Sequence, residues 1–135
     1  MQLKNFENAI YHFKQRCQVL GFDAPITQEF NVNNRRYKIL ELDGYKYLVM
    51  FKRDFFMTYG QFFPNEKDKI GESVNRQDLK QALANGVTKL LYLYENGSAY
   101  TADISHLLNH WHLRETLAEE KEVYSFGLSH LKRWE

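Results

Sequence analysis

Phe6, Ile10, Phe13, Cys17 and Leu20 recur at spacings of four, three, four and three, the pattern of one helical face, and Gly21 follows as a stop. A helix is expected over about residues 3 to 20. From residue 24 the period changes. Ile26 and Phe30 mark a first extended run, followed by RRYKILEL and YKYLVMFKR on either side of Asp43-Gly44. Asp-Gly between two such runs predicts a hairpin with a two-residue type I′ turn.

That turn sets a register. Leu42 faces Tyr45, Glu41 faces Lys46, and so on to Tyr37 facing Met50, Arg36 facing Phe51 and Arg35 facing Lys52. Alternation then sorts the side chains. One face carries Arg35, Tyr37, Ile39 and Glu41 with Lys46, Leu48, Met50 and Lys52. The other carries Arg36, Lys38, Leu40 and Leu42 with Tyr45, Tyr47, Val49 and Phe51. Neither face is purely polar, so helices are expected on both sides of the hairpin.

Pro64 to Gly71 reads as a polar loop. Asn75-x-x-Asp78 resembles a capping box, with Val74 and Leu79 placed as a hydrophobic staple, so a helix is expected from about 75 to 85, closed by Asn85-Gly86. VTKLLYLY, residues 87–94, is a nearly continuous apolar run of strand length, the signature of a strand buried on both faces. Asn96-Gly97 turns it into a second hairpin with Ala99 to Ala102. Asp103 or Ser105 then caps a helix through His106, Leu107, Leu108 and Trp111. Val123 to Phe126 reads as a short strand, and Leu128 to Trp134 as a last helical turn. The expected fold class is α/β (α+β), one domain over 1–135 with a mixed β-sheet flanked by helices.

Composition narrows the function classes. The chain has 135 residues, is 26% charged and 44% hydrophobic, and carries a net charge of +1. That excludes disordered and disulfide-scaffold readings and gives no global electrostatic drive toward nucleic acid or membrane. Any such binding must come from local clustering. No apolar run approaches the ~18 residues of a membrane span, and MQLKNFENAIYHFK lacks a signal-peptide core, so a cytoplasmic protein is expected. Cys17 has no partner for an intrachain disulfide, and its place on the apolar helix face reads as a buried thiol.

The order helix, three strands, helix, strand, with Asp43-Gly44 between the second and third strands and Val49-Met-Phe-Lys-Arg53 ending the third, resembles the PD-(D/E)XK (restriction-endonuclease-like) nuclease superfamily. The resemblance covers roughly residues 3 to 95. In that superfamily an acid on the second strand, and a second acid two residues before a lysine on the third, bind a divalent metal that activates water against a phosphodiester. Lys52 matches the lysine. The two acid positions hold Met50 and Tyr37, neither of which replaces a carboxylate on magnesium. The resemblance implies Lys52 and Glu41 as catalytic residues, Glu41, Asp43 and Glu7 as holders of Mg2+ or Mn2+, and Glu29 as a further available acid. Glu41 also faces Lys46, where an ordinary cross-strand ion pair serves as well.

Basic pairs add to this picture. Arg35 opposite Lys52 places like charges together, which is unfavourable unless an anion or a nearby acid compensates. Arg35, Arg36, Arg53, Arg76 and Lys80 are therefore the expected nucleic-acid contacts. The aromatic run from Tyr45 to Phe63, interleaved with cations, suits either stacking on single-stranded bases or a packed core. His106 and His110, four apart, can share a helix face toward zinc; His112 points away while the helix continues, and a polar surface face is the alternative. Walker A, Gly-x-Gly-x-x-Gly and Gly-x-Ser-x-Gly motifs are absent from the sequence. The expected function is nucleic-acid binding, with metal-dependent endonucleolytic cleavage by a divergent site if the acids assemble. The expected partners are DNA or RNA, no membrane, and a second copy of the chain in a homodimer. The alternative is a catalytically silent protein-interaction module of the kind phages and mobile elements encode.

Overall fold

The computed structural model describes residues 5–23, 25–32, 34–52, 71–110, 112–115, 122–127 and 132–134. The first helix, α1, runs Phe6–Val19. Asn5 caps it, its side chain accepting from the Asn8 N–H at 2.9 Å. Strands β1 (Ile26–Val32), β2 (Arg35–Leu42) and β3 (Tyr45–Lys52) follow as an antiparallel meander. Asp43 at φ 53° and Gly44 at φ 81° form the turn of the second hairpin, the two left-handed residues that a type I′ turn requires. The expected register holds from Leu42–Tyr45 to Lys38–Val49. There the ladder ends, so the three outer pairs, including Arg35 with Lys52, are not formed as expected. Arg35 instead closes the β1–β2 hairpin opposite Val32, and Asn34 just before it also has positive φ.

Strand β4 (Gly71–Asn75) leads straight into helix α2 (Arg76–Ala84), and β5 (Lys89–Tyr94) returns parallel to β3. β6 (Ala99–Asp103) forms a hairpin with β5, and helix α3 (Ile104–His110) follows. The main sheet has the order β1-β2-β3-β5-β6-β9, where β9 is the two-residue strand Lys132–Arg133. A second, antiparallel sheet orders β4, β8 (Glu122–Gly127) and β7 (His112–Glu115). The architecture is thus α+β, with a mixed sheet and helices on both of its faces.

Each face has its own core, and the alternation of the hairpin decides which side chain joins which. Leu40, Leu42, Tyr47 and Val49 pack with Leu91 and Leu93 under Ala9, Ile10, Phe13 and Cys17 of α1. Tyr37, Ile39 and Leu48 pack with Leu90, Tyr92 and Tyr94 against Leu79 and Ala82 of α2 and Ile104 and Leu107 of α3. Alternate residues of β5 therefore fill both cores, as its unbroken apolar sequence requires. Burying a leucine such as Leu48 or Leu91 in this way contributes roughly 1.5–3 kcal/mol.

Two expectations, at Gly71 and at Lys132–Arg133, are corrected at the edges of this frame. Gly71, assigned to a polar loop with Pro64 to Ile70, opens β4; the rest of that loop lies outside the described residues. The helix expected through Trp111 is described over Ile104–His110, Trp111 lies outside the described residues, and the chain is extended again from His112. Asp103 stands directly before that helix, and its Oδ1 accepts from Lys89 Nζ at 2.6 Å across the β5–β6 pair. Lys132 and Arg133, expected in a helical turn, pair with Thr101 and Tyr100 as a strand.

Candidate functional site

The main sheet has one described parallel pair, β3 and β5, and the region beyond its carboxyl ends is where an α/β sheet ordinarily receives a ligand. Lys52 ends β3 there, in register with Tyr94 at the end of β5. The N–H of Glu95, at the turn beyond β5, donates to the Lys52 carbonyl at 3.0 Å. Arg35 begins the antiparallel neighbour β2 at the same end. By alternation, Arg35 and Lys52 share the sheet face covered by α2.

The start of α2 meets this corner because of one carboxylate. Asp78 is 0% exposed, the one fully buried charged residue among those described. Asn75 caps the helix by accepting from the Asp78 N–H at 3.1 Å, the half of the capping box visible in sequence. The Asp78 side chain is turned to the sheet. Arg35 donates from Nη2 to its Oδ1 at 2.7 Å and from Nε to its Oδ2. The Tyr37 hydroxyl donates to the same Oδ2. Burial of the ring, reinforced by Asp78, pushes the Tyr37 hydroxyl well above its ordinary pKa. The hydrogen bond from Arg35 to Asp78 likewise raises the guanidinium further, so Arg35 stays charged throughout the accessible pH range.

The expected site residues divide around this arrangement. Arg35, Lys52 and Arg76, the first residue of α2, come to one end and one face of the sheet. Lys80 is exposed on α2, four residues after Arg76. Arg36 alternates to the α1 face, and Arg53 lies outside the described residues. The acids do not join the cations. Glu41 lies beside Lys46 next to the turn that contains Asp43, four residues and ~13 Å along β2 from Tyr37. Glu7 is exposed in the first turn of α1, on the other side of the sheet from Glu41. Glu29 is exposed on β1 opposite Lys38. The metal set Glu41, Asp43 and Glu7 is therefore split between two faces, and among the described residues no group of three acids, histidines or cysteines could hold a metal ion.

Where the superfamily resemblance expects a strand-borne acid, the structure places Tyr37, and a helix-borne acid bonds to that tyrosine. Local sequence hides this, because Asp78 already has a sufficient reason to exist as part of a capping signal. The aromatic run is mostly core where it is described: Tyr47 is buried, Phe51 packs on Phe6 at 6.2 Å, and Tyr45 is exposed under Lys89 Nζ at 4.7 Å. Phe55 to Phe63 lie outside the described residues. His106 is exposed on α3, and the side chains of His110 and His112 are not described.

Comparison of the chain with protein-family profiles, with curated proteins and with solved structures gives no match. No helix among the described residues is long and apolar enough to cross a membrane.

Proposed function

We propose that this chain is a nucleic-acid-binding module that contacts phosphates with the end of its main sheet, and that it binds without cutting. The observation that carries the reading is the convergence of Arg35, Lys52 and Arg76 beyond the carboxyl ends of β3 and β5. Among the described residues of a chain of net charge +1, three cations stand at that end of the sheet, which is the local clustering that phosphate binding needs. The topology around them, a helix, an antiparallel meander and a crossover to a parallel strand, supports a nuclease-like ancestry. Hydrolysis on Mg2+ or Mn2+ needs carboxylate oxygens beside Lys52. Tyr37 and Met50 stand in those positions, and Asp78 is engaged by Arg35 and Tyr37.

The test is binding of single-stranded, duplex and branched DNA and of RNA over a range of salt, with and without magnesium. Affinity is expected to fall as salt rises, and Lys52→Ala to lower the slope of log K against log[salt] by about 0.9 on duplex DNA. Salt-independent binding, or none, defeats the reading. Cleavage that depends on both magnesium and Lys52 defeats its second half and restores a catalytic site.

A second reading has its own support. Tyr11, Val19, Leu20 and Phe22 are large exposed apolar residues on α1 and its exit, with Val19 85% exposed. A module that docks on another protein through this helix accounts for them. Val19→Ser with Leu20→Ser would then abolish partner capture and leave nucleic-acid affinity unchanged.

A further inference from the structure

Arginine holds five N–H donors in a rigid plane, so a carboxylate that takes one edge fixes where the others point. Asp78 takes the Nε and Nη2 edge of Arg35. Tyr37 and the start of α2 fix Asp78 in turn. Asp78 has no exposed surface, whereas the Arg35 side chain is 32% exposed. The buried acid thus takes one edge of the guanidinium, and the solvent-exposed part of the side chain lies away from it. Among the described residues nothing bonds to Arg35 Nη1.

An arrangement meant only to neutralise a buried acid has no need to leave a third of the arginine in water. It leaves in place a charged, oriented donor edge whose side-chain entropy has already been lost on folding. This is the preorganisation that strengthens an anion contact.

We propose that Arg35 is a phosphate-contacting residue of the site, donating through Nη1 to a phosphodiester oxygen, and that Asp78 and Tyr37 are its positioning residues. The inference rests on the nucleic-acid reading above and assigns that reading its most rigid contact. Lys52 ends β3 and Arg76 begins α2 at the same end of the sheet.

The direct experiment leaves the wild-type chain intact. Arginine side-chain N–H resonances, assigned through the backbone, are followed by NMR while a short DNA duplex is added, with inorganic phosphate in a parallel titration. The expected result is a shift of the Arg35 signal that saturates with binding of the duplex. Duplex binding with an unmoved Arg35 signal overturns the assignment and spares the nucleic-acid reading; no binding of any oligonucleotide ends both. Saturation by phosphate alone, with the same shift and no tighter binding of DNA, overturns the polymer as ligand.

Arg35→Lys supplies the second arm, measured where circular dichroism shows the variant folded. It keeps the charge and loses the fork. Weakened affinity with a salt slope close to that of wild type is expected, because the number of neutralised phosphates changes little. Affinity equal to wild type would mean that the orientation imposed by Asp78 has no role in binding.

Discussion

Asp78→Asn is the most informative single change in this protein. The substitution keeps the shape, removes the buried negative charge, and turns one acceptor into an N–H2 group that faces donors from Arg35 or Tyr37. Arg35 and Tyr37 both donate to that carboxylate. Breaking a buried ion pair by removing one partner costs about 3–5 kcal/mol, because the other charge is left without compensation. Arg35 retains 32% side-chain exposure and recovers some water, so the lower end, about 3 kcal/mol, applies. Against a domain stability of roughly 5–15 kcal/mol, that loss is plain in a urea titration. The midpoint should fall while the m-value stays constant. The Asn75 cap accepts from the backbone of residue 78, so it survives, and helix content before the transition should match wild type. A loss below about 1 kcal/mol would refute the claim that Asp78 pins α2 to the sheet, and would reduce the Arg35 contact to an ordinary surface pair.

Three further outcomes follow from other parts of the molecule. Gly44 has φ 81° with nothing near its missing Cβ, so Gly44→Ala should cost about 1 kcal/mol from backbone strain alone; an unchanged urea midpoint would contradict the type I′ turn. Cys17 is fully buried and its thiol is pushed up to about 11 by burial, so a disulfide reagent should label it in native buffer no faster than the chain opens, and at once in high urea. Tyr37 holds its proton more tightly folded than unfolded, so its contribution is complete below about pH 10 and lost as pH rises beyond it; stability measured from pH 8 to 11 should decline less in Tyr37→Phe than in wild type.

The two cores were legible in sequence for a local reason. Asp43-Gly44 fixes the register of β2 and β3, and a fixed register assigns every later side chain to a face; Ile39 and Leu48 therefore fall with α2, and Leu40 and Val49 with α1. The periodicity of Phe6, Ile10, Phe13 and Cys17 identified the opposing helix by the same kind of argument. What escaped was non-local. The bond from Arg35 to Asp78 joins residues 43 apart in the chain, and neither residue's immediate neighbours reveal it. Lys132 and Arg133 form a strand only because β6 offers an open edge. The like-charge pair anticipated between Arg35 and Lys52 is not formed, because the β2–β3 ladder ends at Lys38–Val49. Arg35 is compensated instead by Asp78 of the helix.

That outcome separates what holds the fold from what the site does. Buried ion pairs are often no better for stability than apolar residues of similar volume. Arg35→Met, Tyr37→Phe and Asp78→Leu made together should therefore lie within about 2 kcal/mol of wild type, closer than Asp78→Asn alone with its broken pair. If the triple variant folds with near-native stability but loses affinity for DNA, the ionic group is needed for the phosphate contact and not for the fold. If it is as unstable as Asp78→Asn, the charged group itself stabilises the packing of α2 on the sheet, and its geometry needs no ligand to explain it. The two outcomes assign the same three side chains to different tasks, and urea melts read beside salt-dependent binding distinguish them.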